Sequence, residues 1–330
     1  MSGRRILITG GAGFVGYHLA RGLSEEKGDE VTILDNFSRG ARDYELETLT
    51  ERPNVELVAG DLCEPETWDR LESDYDEVYH LAAVIGVRKV IERPVEVLRI
   101  NALSTIHLLD WLVGGGGRRV LFSSTSEAYA WTQHFYELPI PTPEDTPLAL
   151  TDLADPRSSY AGSKIFGELA VTQYCRAHEK PFVIVRYHNV YGPRMGNEHV
   201  IPELFQRARS GQDPLIVYSA DHMRAFCYVS DAVAATVAAM RSAAAEGQTI
   251  NVGDDREEIT IGELAERLLM SANLQAAISP QEAASDPVKR RCPDLSRARA
   301  LLGYEPRVSL EDGLKQTLAW YADRLAPQRS

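Results

Sequence analysis

Short apolar runs alternate with helical patterns along the first 190 residues of the chain. The runs are rich in Val, Ile and Leu, which is typical of strands buried on both faces of a parallel sheet. The segments between them repeat apolar residues at the spacing of an amphipathic helix. This alternation predicts an α/β fold, a doubly wound parallel sheet of the Rossmann type, with ligands at the carboxyl ends of the strands. The predicted strands are 5–9, 31–34, 55–59, 77–83, 119–124 and 182–187.

The regular alternation ends shortly after the last of these strands. Beyond it the pattern predicts short strands at 215–218 and 224–229, separated by short helices and loops. We therefore predict two domains. The first, over 1–190, binds a dinucleotide and receives a later strand and helix from around 225–250. The second is a smaller, interleaved C-terminal domain over 191–330 that mainly binds the substrate.

A glycine-rich turn joins the first predicted strand to the first predicted helix. Three glycines recur at intervals of three residues, which allows a tight turn, close approach of a pyrophosphate to the backbone and close packing of the helix. The free N–H groups at the start of the helix favour an anion at the same place. The predicted dinucleotide-binding residues of this turn are Gly10, Gly13, Phe14, Val15 and Gly16.

An acidic residue follows the second predicted strand. Asp35 lies 19 residues beyond Gly16, the distance at which a carboxylate accepts hydrogen bonds from the adenosine ribose of a dinucleotide. Its charge repels a 2′-phosphate, so the sequence predicts NAD rather than NADP. The alternative is that Asp35 only caps the turn after the strand.

Tyr160 and Lys164 are four residues apart in a predicted helix, so their side chains lie on one face of it. An ammonium close to a phenol favours the phenolate, which predicts a tyrosine pKa lowered from about 10 towards neutrality. Such a phenol can act as a general base towards a sugar hydroxyl. The spacing alone also fits two unrelated residues on an exposed helix face, so the other motifs must decide.

Composition limits the partners of the chain. It has 330 residues and a formal net charge of -13, which argues against nucleic acid and anionic membranes as ligands. Its four cysteines show no metal-ligand spacing, so we expect thiols in a reducing compartment and no metal site. The sequence shows neither a signal peptide nor a run of about 18 apolar residues. These features predict a cytoplasmic protein.

Together the motifs resemble the extended short-chain dehydrogenase/reductase family, which contains nucleotide-sugar epimerases and dehydratases. They occur in the family's order along the chain, from the glycine turn to the stretch at 189–193. The resemblance implies NAD as the cofactor. It also implies further cofactor contacts from Asn36, Asp61, Leu62, Leu81, Ala82, Ala83, Asn101, Tyr160 and Lys164.

The resemblance also implies a common first step. Tyr160 deprotonates the 4-hydroxyl of the sugar while a hydride passes from carbon 4 to the nicotinamide, and Thr125 hydrogen-bonds the reacting oxygen. Lys164 holds the ribose hydroxyls of the cofactor and keeps Tyr160 acidic. Epimerases reduce the resulting 4-ketone on its other face, dehydratases eliminate water from it, and decarboxylases of uronic acids lose carbon dioxide from it.

Residues next to Thr125 favour one of these outcomes. The hexose 4,6-dehydratases that this chain resembles have Asp-Glu where it has Ser126-Glu127, and many 4-epimerases have a small neutral residue in place of Glu127. The sequence Thr-Ser-Glu at 125–127 is similar to the pattern of UDP-glucuronate decarboxylases.

A second stretch resembles the same decarboxylases. Residues 286–290, followed closely by Pro293, are similar to the segment that carries an active-site arginine in those enzymes, which implies Arg290 here. This chain has one extra residue before Pro293, so Arg291 is the alternative to Arg290.

The resemblance implies specific residues at the site. The catalytic residues are Thr125, Glu127, Tyr160, Lys164 and Arg290. Arg224 is similar to the arginine that grips the nucleotide diphosphate, a task that suits a guanidinium fork. Arg88 either binds a sugar carboxylate or is a solvated loop charge. The full set of predicted substrate contacts is Arg88, Thr125, Ser126, Glu127, Asn189, Val200, Arg224 and Arg290.

We therefore predict NAD-dependent decarboxylation of a UDP-linked uronic acid, with UDP-glucuronic acid as the preferred substrate. The alternatives are a nucleotide-sugar 4-epimerase, a dehydratase, or, in a different class, a non-catalytic NAD-binding regulator. Such a regulator has no need of both Tyr160 and Lys164. The resemblance further implies a homodimer formed through the helices at 101–112 and 160–177.

Overall fold

The computed structural model describes residues 3–135, 137–282 and 288–324. Within these residues the strands are β1 Arg5–Thr9, β2 Glu30–Asp35, β3 Val55–Ala59, β4 Glu77–His80, β5 Val120–Thr125, β6 Phe182–Tyr187, β7 Val190–Tyr191, β8 Leu215–Tyr218, β9 Met223–Ala225, β10 Cys227–Tyr228, β11 Thr249–Val252, β12 Glu258–Thr260, β13 Ile278–Gln281 and β14 Arg290–Arg291. The α-helices of the same residues are α1 Phe14–Leu23, α2 Tyr44–Thr50, α3 Pro65–Trp68, α4 Val87–Glu92, α5 Pro94–Trp111, α6 Ser158–Ala177, α7 Val200–Arg209, α8 Val229–Arg241, α9 Ile261–Ser271, α10 Ser296–Leu302 and α11 Leu310–Arg324.

Seven parallel strands form the central sheet, in the order β11-β6-β5-β4-β1-β2-β3. From β1 the chain adds β2 and β3 on one side and then crosses to β4, β5 and β6 on the other. The carboxyl ends of β1 and β4 therefore border the crevice in which doubly wound sheets bind their ligands. The predicted fold class is confirmed.

Alternate residues of the buried strands face opposite layers of helices. Ile6 and Ile8 of β1 belong to a core with α1, α8 and α10, whereas Leu7 belongs to the core beneath α5 and α6. Because helices cover both faces of the sheet, both sets of side chains must be apolar. This is why the strands appear in the sequence as continuous apolar runs.

The seventh strand comes from late in the chain. β11 pairs with β6 at one edge of the sheet, and α8, which precedes β11, packs against α1. α10 then returns to the same layer and packs on α8 and β11. The central sheet and the helices that cover it are therefore assembled from segments far apart in sequence.

A second core lies among α7, α9 and α11, together with the parallel pair β8 and β13. A three-stranded sheet, β12-β9-β14, is separate from the central sheet. In it β9 pairs antiparallel with β12 and parallel with β14. No helix among the described residues is long and apolar enough to cross a membrane.

Two predicted strands are shorter in the structure. The strand predicted at 77–83 ends at His80, because its neighbour β1 ends at the paired residue Thr9. The strand predicted at 224–229 is divided between β9 and β10. Before Phe226, β9 pairs with β12 and β14. After Phe226, β10 pairs with β7, so the two segments do not form one strand.

Candidate active site

The glycine-rich turn packs against the loop that follows β4. Gly10 has a φ of 72°, and its backbone N–H donates to the Leu34 carbonyl oxygen at 2.8 Å. A Cβ at Gly10 would lie 2.7 Å from the Ala82 nitrogen, and one at Gly16 would lie 2.2 Å from the Gly10 carbonyl oxygen. Only glycine fits both places. α1 begins at Phe14 with no side-chain cap and no acidic residue in its first turn, an arrangement that fits a dinucleotide phosphate.

Asp35 connects this turn to the end of β2. Its carboxylate accepts hydrogen bonds from the backbone N–H groups of Ala12 at 3.0 Å and Phe37 at 2.8 Å. Burial raises the pKa of Asp35, and these two hydrogen bonds oppose that rise. The Phe37 contact is the turn cap considered above as an alternative, whereas the Ala12 contact holds the same carboxylate against the dinucleotide turn. The two interpretations of Asp35 are therefore compatible.

The ends of β2 and β3 bring two further predicted residues together. Asn36 Nδ2 donates to Asp61 Oδ2 at 3.1 Å, and Asp61 Oδ1 accepts from the Cys63 backbone N–H at 2.9 Å. Leu62 is buried beside them. These residues lie on the side of the crevice where the sequence predicts the adenosine half of the cofactor.

An asparagine from α5 fixes the loop after β4. The Asn101 amide accepts from the Val84 N–H at 2.7 Å and donates to the Val84 carbonyl and to Ser163 Oγ, both at 3.1 Å. The sequence predicts a direct cofactor contact for Asn101, but both atoms of its amide are bonded to protein. Its role in the structure is to hold the loop containing Leu81, Ala82 and Ala83.

Tyr160 lies in the first turn of α6 and contacts the end of β5. Burial raises the pKa of Tyr160 to about 12, while a side-chain hydrogen bond with Thr125 and the positive charge of Arg39 oppose the rise. The predicted fall of this pKa towards neutrality is therefore wrong for this structure. Desolvation of the phenol outweighs the charges around it.

Lys164, the predicted partner of Tyr160, forms its hydrogen bond with the end of β5. Lys164 is buried, and its Nζ donates to the Ser123 carbonyl oxygen at 2.7 Å and lies 4.9 Å from the centroid of the Phe122 ring. Burial lowers the pKa of Lys164 to about 8, although the charge of Glu168 opposes that fall. The cation whose charge lowers the pKa of Tyr160 is Arg39.

Glu127 follows Thr125 in a short 3-10 turn, Ser126–Tyr129. Its backbone N–H donates to Thr125 Oγ1 at 3.2 Å. Its carboxylate accepts a hydrogen bond of 2.5 Å from Arg291 Nη1, and the Arg291 side chain is only 14% exposed. A carboxylate, a guanidinium and a threonine hydroxyl therefore meet near Tyr160.

Arg290 does not take part in this contact. Its Nη2 lies 2.7 Å from Glu258 Oε2, and its side chain is 50% exposed. Successive residues of a strand point to opposite faces, so β14 can direct only one of its two arginines towards Glu127. The structure places Arg291 there and not Arg290, which corrects the preferred sequence assignment. Asp286 and Pro287, used in that assignment, lie outside the described residues.

Arg224 holds the segment that carries these arginines. Its guanidinium donates to the carbonyl oxygens of Met223, Val288 and Lys289. Arg224 on β9 is also the residue paired with Arg291 on β14. The register of this small sheet therefore determines where both guanidinium groups lie.

The remaining predicted substrate residues lie in different surroundings. Asn189 Nδ2 donates to the Ala225 carbonyl at 3.0 Å, Val200 is the first residue of α7, and Ser126 is buried. Arg88 lies on the surface, 74% exposed, with its Nε bonded to Glu92 at 2.9 Å. Of the two interpretations of Arg88, the structure therefore fits the solvated surface charge.

Sequence reasoning missed Arg39. It follows β2 in the chain, its Nη2 lies 3.1 Å from His199 Nε2, and its charge acts on Tyr160. Burial lowers the pKa of His199 to about 4, so the imidazole accepts the hydrogen bond from Arg39. No motif predicts this contact, because residues 39 and 199 come together only when the two cores pack.

A buried polar network supports the turn that carries Glu127. The Arg186 guanidinium forms an ion pair with Glu168, at 2.6 Å from Nη2 to Oε2, and donates to the Tyr129 hydroxyl at 2.7 Å. That hydroxyl in turn donates to Asn251 Oδ1 at 3.0 Å. The network ties the turn to α6, β6 and β11. Sequence reasoning did not single out these residues.

Comparison with known proteins is consistent with this geometry. A family model described as the NAD dependent epimerase/dehydratase family matches residues 6–253. The chain is 34% identical to a UDP-N-acetyl-alpha-D-glucosaminuronate decarboxylase of Bacillus cytotoxicus, over 97% of this chain and 98% of the relative. It is 33% identical to UDP-glucuronic acid decarboxylase 1 of Xenopus tropicalis, over 98% of this chain and 74% of that protein.

A solved structure extends the comparison. The UDP-glucuronic acid 4-epimerase of Bacillus cereus, in complex with UDP-glucuronic acid and NAD, superposes with a TM-score of 0.85 at 26% identity, covering 97% of this chain and 99% of the epimerase. The glycine turn and Asp35 lie at the carboxyl ends of β1 and β2, and Tyr160 lies beside Thr125 at the end of β5. The chain belongs to the NAD-dependent epimerase/dehydratase family, and its cofactor is NAD.

Proposed function

We propose that this protein decarboxylates a UDP-linked uronic acid through a 4-keto intermediate. The observation that carries the proposal is the Glu127–Arg291 pair beside Thr125. A guanidinium at this place is suited to bind the carboxylate that distinguishes a uronic acid from a neutral hexose. Glu127 orients that guanidinium.

The residues of the site support a simple sequence of steps. Tyr160 accepts the proton of the sugar 4-hydroxyl as a phenolate, while Thr125 hydrogen-bonds the same oxygen. Burial raises the pKa of Tyr160, so the Thr125 hydrogen bond, the charge of Arg39 and the positive charge that bound NAD would add must favour this phenolate. The glycine turn and Asp35 would hold NAD, which would supply the acceptor, and later the donor, of the hydride at carbon 4. A carboxylate β to the new ketone then leaves as carbon dioxide, and the electron pair of the broken carbon–carbon bond moves towards the ketone oxygen. Tyr160, now protonated, stabilises that oxygen by donating a hydrogen bond to it.

The substrate assignment follows from what the relatives share. The two curated relatives described above differ at the 2-position of the sugar, since one acts on an N-acetylated sugar, but both names specify a decarboxylase of a uronic acid linked to UDP. We infer that the 6-carboxylate and the UDP group are common requirements. UDP-glucuronic acid and its 2-acetamido counterpart are therefore the two substrates to test.

The second candidate is 4-epimerisation of the same acid. The similarity to the Bacillus cereus protein favours it, because that protein is named a UDP-glucuronic acid 4-epimerase. Dehydration is less well supported, because Ser126 stands where the resembling dehydratases have their acid.

Mass spectrometry of the products separates these reactions. The purified protein is incubated with NAD and each of the two acids. We expect a product lighter by the mass of carbon dioxide. A sugar isomer of unchanged mass would replace decarboxylation by epimerisation, loss of water would mean dehydration, and no turnover with tightly bound NAD would favour the non-catalytic regulator.

We also propose that two chains associate through α5 and α6. These helices pack together on one face of the sheet, and their outer surface carries exposed apolar side chains, with Leu98 47% and Leu169 58% exposed. Leu109 and Leu112 repeat at helical spacing in the same region of the sequence, but both are buried in the core of their own chain. Light scattering of Leu169→Glu, compared with wild type, tests the proposal, since a dimer is expected to dissociate.

The cysteines support a reducing compartment such as the cytoplasm. All four are unpaired thiols, and three of them, Cys175, Cys227 and Cys292, are buried. Free thiols of this kind are usual where disulfides do not form.

A further inference from the structure

Arg194 lies where the chain passes from the cofactor core to the second core. It follows β7, is 8% exposed and has a φ of 71°. Its hydrogen-bond partners lie 151 to 182 residues away in the sequence. An arginine so deeply buried in such a strained backbone conformation is retained only where surrounding contacts hold it.

All five N–H groups of the Arg194 guanidinium are used. Nη1 donates to the carbonyl oxygens of Ala12 at 3.1 Å and Gly13 at 3.4 Å. Nη2 donates to the Ala41 carbonyl at 2.9 Å and to Asp43 Oδ1 at 3.0 Å, and Nε donates to Asp43 Oδ2 at 2.9 Å. The bidentate pair with Asp43 fixes the plane of the guanidinium.

Two of these partners belong to the dinucleotide turn. Ala12 and Gly13 immediately precede α1, whose first N–H groups are placed to receive the cofactor phosphates. The Arg194 guanidinium also lies 4.3 Å from the centroid of the Tyr17 ring, and His18 Nε2 lies 2.9 Å from the Pro193 carbonyl. The start of α1 is therefore attached to the segment around Arg194 at several points.

The residues after Arg194 lead towards the predicted substrate contacts. Met195 is buried in the second core, and its carbonyl oxygen accepts a hydrogen bond from the Tyr321 hydroxyl. The chain then passes His199, which contacts Arg39, and enters α7 at Val200. One short segment thus has its first part bound to the cofactor turn and its last part at the predicted nucleotide-sugar contact.

We propose that Arg194 is a positioning residue that couples NAD binding to nucleotide binding at the sugar-nucleotide site. Arg194 holds the dinucleotide turn and the segment before α7 together. The conformation that binds NAD is therefore also the conformation that binds the nucleotide. Such coupling is reciprocal, so each ligand must tighten the binding of the other by the same factor. The inference rests on the family's cofactor and substrate class and is independent of whether the product is decarboxylated.

The test is calorimetric titration of NAD into the full chain, with and without saturating UDP, and again with dTDP so that the identity of the base does not affect the result. In the wild type, we expect the nucleotide to lower the NAD dissociation constant by about fivefold or more. In Arg194→Lys, which cannot form the five bonds, we expect this ratio to approach one and the NAD dissociation constant itself to rise about tenfold.

Arg299→Lys is the matched control. Arg299 also forms a bidentate pair, with both Asp255 oxygens at 2.8 Å, but it lies in α10. We expect the control to keep the wild-type ratio. If Arg194→Lys fails to fold by circular dichroism, Asp43→Asn replaces it, because that change weakens the ion pair while an amide oxygen can still cap α2 at Leu46.

A wild-type ratio of one with both nucleotides would overturn the proposal. So would an unchanged ratio in a folded Arg194→Lys or Asp43→Asn protein, since Arg194 would then be only structural. Neither result bears on the decarboxylase assignment, which depends on the mass of the product.

Discussion

The predicted cofactor side and the predicted substrate side of the crevice are built from different kinds of contact. On the cofactor side, the fit depends on backbone atoms and on absent Cβ atoms, as where a Cβ at Gly16 would meet the Gly10 carbonyl at 2.2 Å. On the substrate side, it depends on long charged side chains, such as that of Glu127 in the 3-10 turn after β5 and that of Arg291 on β14.

This difference determines how each side responds to change. A backbone turn is specified by a few neighbouring residues, so its motif is visible in the sequence. The position of a long side chain depends on strand register. One additional residue in the segment before Pro293 is enough to direct Arg291 instead of Arg290 towards Glu127. The cofactor side is therefore robust to insertion elsewhere in the chain, whereas the substrate side is easily altered.

The largest effect is expected where the two sides meet, at Tyr160. Tyr160→Phe removes the hydroxyl that we propose exchanges a proton with the sugar, so kcat is expected to fall by about 10²–10⁴-fold. Steady-state assays measure the loss, and a calorimetric titration shows whether NAD still binds. If kcat stayed within a few-fold of wild type, another group would be the base.

The next effect tests the substrate side. Arg291→Ala leaves Glu127 without its guanidinium and removes the proposed carboxylate partner, so kcat/KM for the uronic acid should fall by about 10²-fold or more. Arg290→Ala is the matched control, because its exposed ion pair with Glu258 is worth only about 0–1 kcal/mol. Equal losses in the two variants would mean that β14 does not select between its arginines.

A smaller effect is expected on the cofactor side. Gly16→Ala forces a Cβ against the Gly10 carbonyl, an overpacking that typically costs about 1–3 kcal/mol. We therefore expect the NAD dissociation constant to rise about tenfold to a hundredfold in calorimetric titration. Gly22→Ala on the same helix, where a Cβ would meet nothing within 4 Å, should bind NAD normally and stabilise the fold by roughly 0.5–1 kcal/mol. Weakened NAD binding in Gly22→Ala would show that the helix, not the turn, is sensitive.

The smallest effect is expected on the pH dependence of stability, at His80 in the central sheet. Burial lowers the pKa of His80 to about 3, and Thr9 Oγ1 lies 2.8 Å from its Nδ1. As the pH falls below the ordinary value of about 6.5, the unfolded chain binds a proton that the folded chain does not. The unfolding free energy should therefore fall by up to about 1.4 kcal/mol per pH unit on account of this residue.

Urea unfolding at pH 7 and pH 5 measures this slope. His80→Gln should be less stable at pH 7 but should lose less stability between the two values than the wild type does. Identical slopes would mean that His80 is protonated in the folded protein.

The fold and the cofactor turn were accessible from the sequence because both are local. Apolar runs such as 5–9 indicate a parallel strand that is buried on both faces. The glycines at 10, 13 and 16 indicate a turn without room for a Cβ. The length and ends of strands were less accessible. β4 ends at His80 because its neighbour β1 ends at Thr9. The residues of a strand do not identify the strand with which it pairs.

The sequence by itself determined the doubly wound sheet, the glycine turn, Asp35 at the end of β2 and the Tyr160–Lys164 face of α6. The tertiary structure decided which arginine reaches Glu127, that Lys164 bonds the Ser123 carbonyl, and that Arg39 and Arg194 bridge the two cores. It also reversed the expected direction of the Tyr160 pKa, which rises through burial. Spacing reports which residues share a face, but desolvation and strand register arise only when distant segments pack together.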